Sequence, residues 1–505
     1  MTTNADTIGM MTFHASHNNG SMLQALALQH ILENHFHQKT ELIDFSNQGQ
    51  RNMYAPVPKP KNWKQAIKSL IWSTNMSQMK HQYDSYEAFE KRYFHMSSDT
   101  YSSIEELKPL ADKYKAFITG SDQVWNIKCI DADDAYYLSF VKDRPKFAYA
   151  VSFGANNPFI LEGDTKRYEN YLEHFDKISV REKNAQKWIK EATGVEVPIC
   201  LDPTMLLNES EWEQLVDVGD TPVISGDYIF YYCFSITEEV QHFLKSISKK
   251  TGMPVYFMEA KEWTLKMCWR NDIRLIRSYG PDVYMNVVKH AKLFVTSSFH
   301  GTAFGTIYRK NFWYIRSKHS ESSLDDRASS FLTQLGLMSR YRTIAELSAL
   351  DLFEPVDYTQ LPDLPPNVIH QKKPYLPDPL PELLALGDAH VQGHIETISV
   401  HLTDGCEHYI PVRDIIYYTP REDGNALYMK DGTFVAVTED AGQVQLLTEP
   451  YKEFCRINKK VIVNMRFISM LTPITVMMQD YREFHYSPFR YSELKFLREE
   501  VNDMD

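Results

Sequence analysis

The sequence predicts an α/β protein: two Rossmann-like halves facing each other across a cleft, followed by a smaller, mostly-β domain. Three observations carry this. Short β-like runs alternate with amphipathic helical runs through residue 350, as parallel sheets require. The alternation pauses at Asp202-Pro203 and restarts with a fresh strand at Tyr228. Beyond a proline-rich stretch the pattern changes to short strands separated by turn residues.

The elements follow in order. "TIGMMTFH" leads into the helical "GSMLQALALQHILENHF". A Tyr- and Met-rich stretch, residues 63–101, reads as a helical insertion. "KAFITGS", "KFAYAVSFG" and "KISV", the last running into "REKNAQKWIKEATG", complete a first half over 1–205. In the second half, 206–353, "DYIFYYCF" precedes "TEEVQHFLKSISKKTG", and "KLFVTSS" breaks into "FHGTAFGTIYRK". Residues 354–388 form a linker: eight of the chain's 24 prolines lie between Glu354 and Pro381, which rules out a helix or central strand. Residues 389–505 supply the β domain, closed by the helical "RYSELKFLREEV".

The chain has 505 residues, room for two to four domains, and 43% are hydrophobic, enough for real cores. A net charge of −12 argues against a protein built as a whole to hold polyanions. The six cysteines, Cys129, Cys200, Cys233, Cys268, Cys406 and Cys455, form no CxxC pair, so neither a zinc site nor a disulfide framework is expected. The start has no basic segment leading into an apolar one, and no apolar run reaches the ~18 residues that span a bilayer. A cytoplasmic protein without a transmembrane segment is expected.

Four strand ends carry candidate chemistry. At "VTSSFHG", a strand entering a helix through a glycine offers free N–H groups to a phosphate or carboxylate. His300 adds a donor or a proton, and Gly301 lets a ligand approach the backbone. A histidine capping the helix fits the same residues. "FITGSDQVWN" crowds Ser121, Asp122, Gln123 and Asn126 around Trp125, which suits a sugar. A turn with Trp125 in the core is the other reading. Asn18, Asn19, Gly20 and Ser21 sit at a third such junction, where a cleft or a helix cap explains them equally. Arg181 and Glu182, in "SVREKNA", could neutralise an acidic ligand or form a surface ion pair. Asp202, before a proline, reads as a turn.

In order, "HNNGSMLQALAL", "ITGSDQVWN", "YYLSFV", "FAYAVSFGAN", "KISVREKNA", "LDPTMLL", "VTSSFHGTAFGTIYRKNFW" and "DDRASSFLTQLGLMSR" resemble polysaccharide pyruvyl transferases, over residues 5–345. The resemblance implies two Rossmann-like domains in a GT-B-like arrangement. It also implies transfer of the enolpyruvyl group of phosphoenolpyruvate onto a sugar, as a cyclic ketal. His300 would bind the donor phosphate or act as an acid, Arg181 would pair with the donor, and Asp122 would bind the acceptor or act as a base. Gly301 and Thr302 fall in the donor motif. Many members carry an arginine two residues before the histidine, where this chain has Ser298. Arg309, Arg316 and Arg327 are the candidates to supply that charge. The implied chemistry needs no cofactor and no metal.

"RDIIYYTPREDGNALYMKDGTFVAV" with "EFCRINKKVIVNMRFISML" resembles the LytTR DNA-binding domain, over residues 393–503. Lys459 and Arg490 match its basic turns. Residues 401–505 hold 17 Asp or Glu against 12 Lys or Arg, so DNA binding and a docking or dimerising role both stay open. Two further readings of the chain are a nucleotide-sugar glycosyltransferase of GT-B type and a LytTR-type regulator with a ligand-sensing α/β region. The expected partners are phosphoenolpyruvate and a glycan or lipid-linked sugar acceptor, with DNA, a second copy of the chain and peripheral membrane association as further expectations.

Overall fold

The computed structural model describes residues 4–161, 165–316, 326–358, 397–402, 407–421, 424–430, 433–449, 451, 453–480 and 482–502. Contacts divide the chain into two units, Met1–Asp388 and Ala389–Asp505. The expected linker lies outside the described residues from 359 onward, as does the start of the C-terminal domain to 396.

Two parallel sheets build the first unit. The first is ordered β3-β2-β1-β4-β5-β6, from β1 (Asn4–Met11), β2 (Lys39–Phe45), β3 (Met96–Tyr101), β4 (Tyr114–Asp122), β5 (Lys146–Val151) and β6 (Lys177–Val180). The second, β12-β11-β10-β7-β8-β9, uses β7 (Ile229–Tyr232), β8 (Val255–Phe257), β9 (Ile273–Leu275), β10 (Leu293–Thr296), β11 (Phe312–Ile315) and β12 (Tyr341–Arg342). Counted within its own half, each sheet has the doubly-wound order 3-2-1-4-5-6. Strands β4, β5, β7 and β10 are buried at every residue. Helices cover both faces of such strands, so the runs are mostly apolar rather than alternating.

Helix α1 (Asn19–Asn34) follows β1 and is apolar on nearly every side. Leu23, Leu26, Leu28, Ile31 and Leu32 are all buried. One core joins the halves, with Ile8, Met10 and Leu26 from the first and Phe230, Phe294 and Phe304 from the second. Trp212, from the segment between the sheets, packs in the same core.

The insertion departs from expectation. It holds two helices beyond α2 (Gln48–Tyr54), namely α3 (Trp63–Ser73) and α4 (Met76–Tyr93). Its last six residues are not helical. They form β3, which pairs in parallel with β2 at the sheet edge. "MSSDTY" has no apolar stripe at helical spacing to hold a helix down, and the open edge of β2 takes its backbone instead.

The C-terminal unit is antiparallel. Its five-stranded sheet runs Phe434–Val437, Gly424–Met429, Ile415–Arg421, Ile462–Asn464, Phe454–Arg456. A three-stranded sheet (Ile468–Leu471, Thr475–Met478, Glu483–His485) and a closing helix, Tyr491–Asn502, complete it beside the pair Thr397–His401 and Glu407–Pro411.

Candidate active site

A 3-2-1-4-5-6 sheet reverses its winding between its first and fourth strands, opening a crevice at their carboxyl ends. Those strands are β1 and β4 in one half, β7 and β10 in the other. Residues past all four ends line one cavity of about 410 Å³: Asn18 after β1, Asp122 at the end of β4, Cys233 after β7, and Ser298 and His300 after β10.

His300 is the second residue of α5, our label for the helix Phe299–Ile307. Ser298 caps that helix, and its hydroxyl accepts a hydrogen bond from the Gly301 amide at 3.4 Å. His300 is 7% exposed and borders the cavity. Its Nε2 lies 3.4 Å from Asp202 Oδ2. Its other ring nitrogen faces Gly20 so closely that a Cβ there would sit 2.2 Å from Nδ1. Gly20 is therefore a contact between the halves rather than a turn residue. The capping side chain of Asn18 accepts the Gly20 amide at 3.0 Å.

Asp202 gathers the charges. Its Oδ2 accepts from Arg181 Nη1 at 2.6 Å and from the Ser121 hydroxyl at 3.2 Å. Its Oδ1 accepts from the Thr204 amide at 3.0 Å and hydroxyl at 2.8 Å. Burial would raise its pKa, yet His300 and Arg181 hold the carboxyl well below the usual range. Asp122 sits in left-handed backbone, φ +67°. It accepts from the Ser21 hydroxyl at 2.5 Å and lies 3.5 Å from Arg181 Nη2. Its pKa too is lowered against burial by His300 and Arg181.

Several expected residues stand elsewhere. Arg181 is buried beneath the cavity, stacked 4.2 Å from the Phe299 ring centroid, so it positions Asp202 and Asp122 rather than meeting a ligand. The space beside Gly301 is filled by Thr296, whose Oγ1 would lie 2.1 Å from an added Cβ. That glycine serves helix–strand packing, not ligand approach. Thr302 is buried and its hydroxyl donates to the Ser298 carbonyl at 3.1 Å. Arg309, at the far end of α5, is exposed. Arg316 pairs with Glu346 at 3.5 Å. Of the three candidate arginines Arg327 alone borders the cavity.

On the sugar side, Gln123 and Ser21 border the cavity. Trp125 does not: it is core, stacked 5.0 Å from Tyr137 with its indole N–H donating to the Tyr136 carbonyl at 3.0 Å. Asn126 turns to Gln123 and Asn156 at 2.8 Å each. Asn19 turns inward and accepts from the Tyr86 hydroxyl at 2.9 Å.

Three carboxylates were missed by sequence reasoning. Asp202 was hidden by its proline, since it also caps the short helical turn Pro203–Leu206. Asp131 and Glu259 border the cavity, their pKa values pushed by burial to about 6 and about 7. Glu259 follows the carboxyl end of β8, a position the crevice rule points to. No signal marked Asp131.

A sequence model of polysaccharide pyruvyl transferases matches residues 18–319, more than half the chain. The chain belongs to that family. The matched span of this pyruvyl transferase family member includes Asn18, Asp122, Arg181, Asp202 and His300. No curated protein matches the chain. Among solved structures it is similar to a UDP-GlcNAc 2-epimerase from Methanocaldococcus jannaschii, at 9% identity and TM-score 0.37, covering 69% of this chain and 92% of that one. It is also similar to an E. coli heptosyltransferase, at 11% identity and TM-score 0.29, covering 65% and 98%. A LytTr DNA-binding domain from Bacillus cereus is similar at 17% identity and TM-score 0.17, covering 20% of the transferase and 94% of that domain.

In the C-terminal unit Lys459 is exposed beside Lys460 in the turn before Ile462–Asn464. Arg490 is not available in the same way. Its guanidinium makes two 2.9 Å hydrogen bonds to Glu493 and also donates to the Arg456 carbonyl.

Proposed function

We propose that this transferase moves the enolpyruvyl group of phosphoenolpyruvate onto a sugar of a cell-surface polysaccharide precursor, closing a pyruvate ketal. The observation that carries this reading is the cavity where the amino end of α5, with His300 and Arg327, faces Asp122, Asp131 and Glu259. Phosphoenolpyruvate carries about three negative charges and suits backbone amides, an imidazole and a guanidinium. The carboxylates suit a sugar's hydroxyls.

The reaction has three proton-balanced steps. An acid, His300 in this reading, protonates the methylene carbon, leaving a cationic centre at the carbon that bears phosphate. A sugar hydroxyl attacks that carbon and gives its proton to a base. A second hydroxyl then displaces inorganic phosphate, which carries away that hydroxyl's proton, and closes the ring. Asp122, held ionised by His300 and Arg181, anchors rather than accepts protons. Asp131 and Glu259, raised by burial toward neutrality, are the better-matched bases. No cofactor enters this chemistry. The exposed Lys459–Lys460 turn supports reading the C-terminal region as an appended LytTR-like binding module.

The test supplies phosphoenolpyruvate with lipid-linked or nucleotide-linked sugars. Release of inorganic phosphate, with an acceptor mass gain of pyruvate less water, is expected. His300→Ala should lower kcat by about 10²–10⁴. Release of a nucleotide instead, or full turnover by His300→Ala, refutes the reading.

A further inference from the structure

Helix α3 is amphipathic the wrong way round for a helix of a soluble fold. Trp63, Ile67 and Leu70 recur at the spacing of one helical face. Such a stripe ordinarily packs into a core. Here the three side chains are 69%, 50% and 71% exposed, and no residue of α3 is buried. The opposite face, Gln65, Lys68, Ser69 and Trp72, borders a second cavity of about 300 Å³. The Trp72 indole N–H ties that face down by donating to the Lys261 carbonyl at 3.1 Å.

Along the sequence the charge near the helix is one-sided, while Glu259 and Glu262 border the cavity behind it. From Phe45 to Tyr83 the sequence has no Asp or Glu, but six basic residues: Arg51, Lys59, Lys61, Lys64, Lys68 and Lys80. This occurs in a chain of net charge −12. The second cavity continues into the first, since Tyr54, Phe234 and Glu259 border both.

We propose that the Trp63–Ile67–Leu70 face of α3 is a membrane-docking surface that seats in the interface of a bilayer rich in anionic lipid. Tryptophan beside leucine and isoleucine, flanked by lysines, is what an interfacial helix needs. The apolar face enters the headgroup boundary while the lysines meet the lipid phosphates. Charge complementarity selects this occupant. A second copy docking by the same patch would set lysines against lysines. The purpose of the docking rests on the acceptor reading above: it brings the mouth of the cleft to an acceptor carried on a lipid. The docking itself needs no turnover.

The test is co-flotation of the full chain with vesicles of phosphatidylcholine, or of phosphatidylcholine mixed equally with phosphatidylglycerol, over a salt series. Binding to the anionic vesicles, weakened by salt, is expected. The Trp63→Ser/Ile67→Ser/Leu70→Ser variant should bind about tenfold or more weakly, while turnover on a water-soluble acceptor is kept. If that variant fails to fold, Leu70→Asp alone, at the most exposed of the three positions, must weaken binding in the same direction. No preference for anionic vesicles, or equal binding by a folded variant, overturns the proposal. So does a wild-type dimer that the variant dissolves without any vesicle binding. Vesicle binding with no pyruvyl transfer to any acceptor refutes the reaction and leaves the docking standing. Transfer without vesicle binding does the reverse.

Discussion

Glu259 shows what one residue owes to its surroundings. Burial raises its pKa to about 7, against the pull of a Gln82 hydrogen bond and of Lys261. A base is active when ionised, so kcat/KM is expected to rise with pH through about 7. Glu259→Gln should lower kcat by about 10²–10⁴ and remove that limb of the profile. A limb unchanged in the variant would move the role to Asp131. None of this was readable from "FMEAKEW", because the upward shift comes chiefly from burial, which the fold imposes. His300 was readable, because a strand, a histidine and a glycine in a row fix it at a helix start. Its partner Asp202 was not, since a proline after an aspartate reads first as a turn.

At the level of elements, α1 and α5 bring their amino ends together at Gly20 and His300. An added methyl at Gly20 would lie 2.2 Å from Nδ1, and both helices are locked in the one core they share, so the imidazole must move. Gly20→Ala is expected to cut kcat about 10²-fold, the scale of a ~1 Å misplacement. Its urea midpoint should stay closer to wild type than that of Trp125→Ala, where a buried ring is lost at about 3–5 kcal/mol. Retained kcat in Gly20→Ala would show that His300 has slack. The parallel sheets were legible in the alternation of apolar runs with amphipathic ones. β3 was not, because an edge strand needs only a neighbour's open backbone. Nor was the purpose of Gly301, which answers to Thr296 on the preceding strand rather than to a ligand. Arg309 and Arg316 looked close to His300 along the chain, but a helix and a strand carry them away from the cavity.

For the whole molecule, the buried acids set opposite slopes of stability with pH. Glu182 is fully buried, its pKa raised to about 7 from 4.5, chiefly by burial. Its Oε1 accepts the Phe153 amide at 3.0 Å. Between these values the unfolded chain releases a proton that the folded chain keeps, so stability falls as pH rises. Glu182→Gln keeps the acceptor and should flatten that fall, read as urea midpoints from about pH 5 to about pH 8. An identical slope in the variant would assign the fall to other groups. Asp202 works the other way. Its lowered pKa adds stability above the ordinary aspartate value, and that stability drains away as pH falls below it.

That same aspartate constrains how the cleft can work. Itself fully buried, it joins a guanidinium from the first half to an imidazole from the second. Swinging the halves apart like a clamshell would leave Asp202 with Arg181 but pull away the imidazole, and would open to water the apolar core that both halves share. A gap of fixed width, with traffic passing through its open side, costs nothing of the kind.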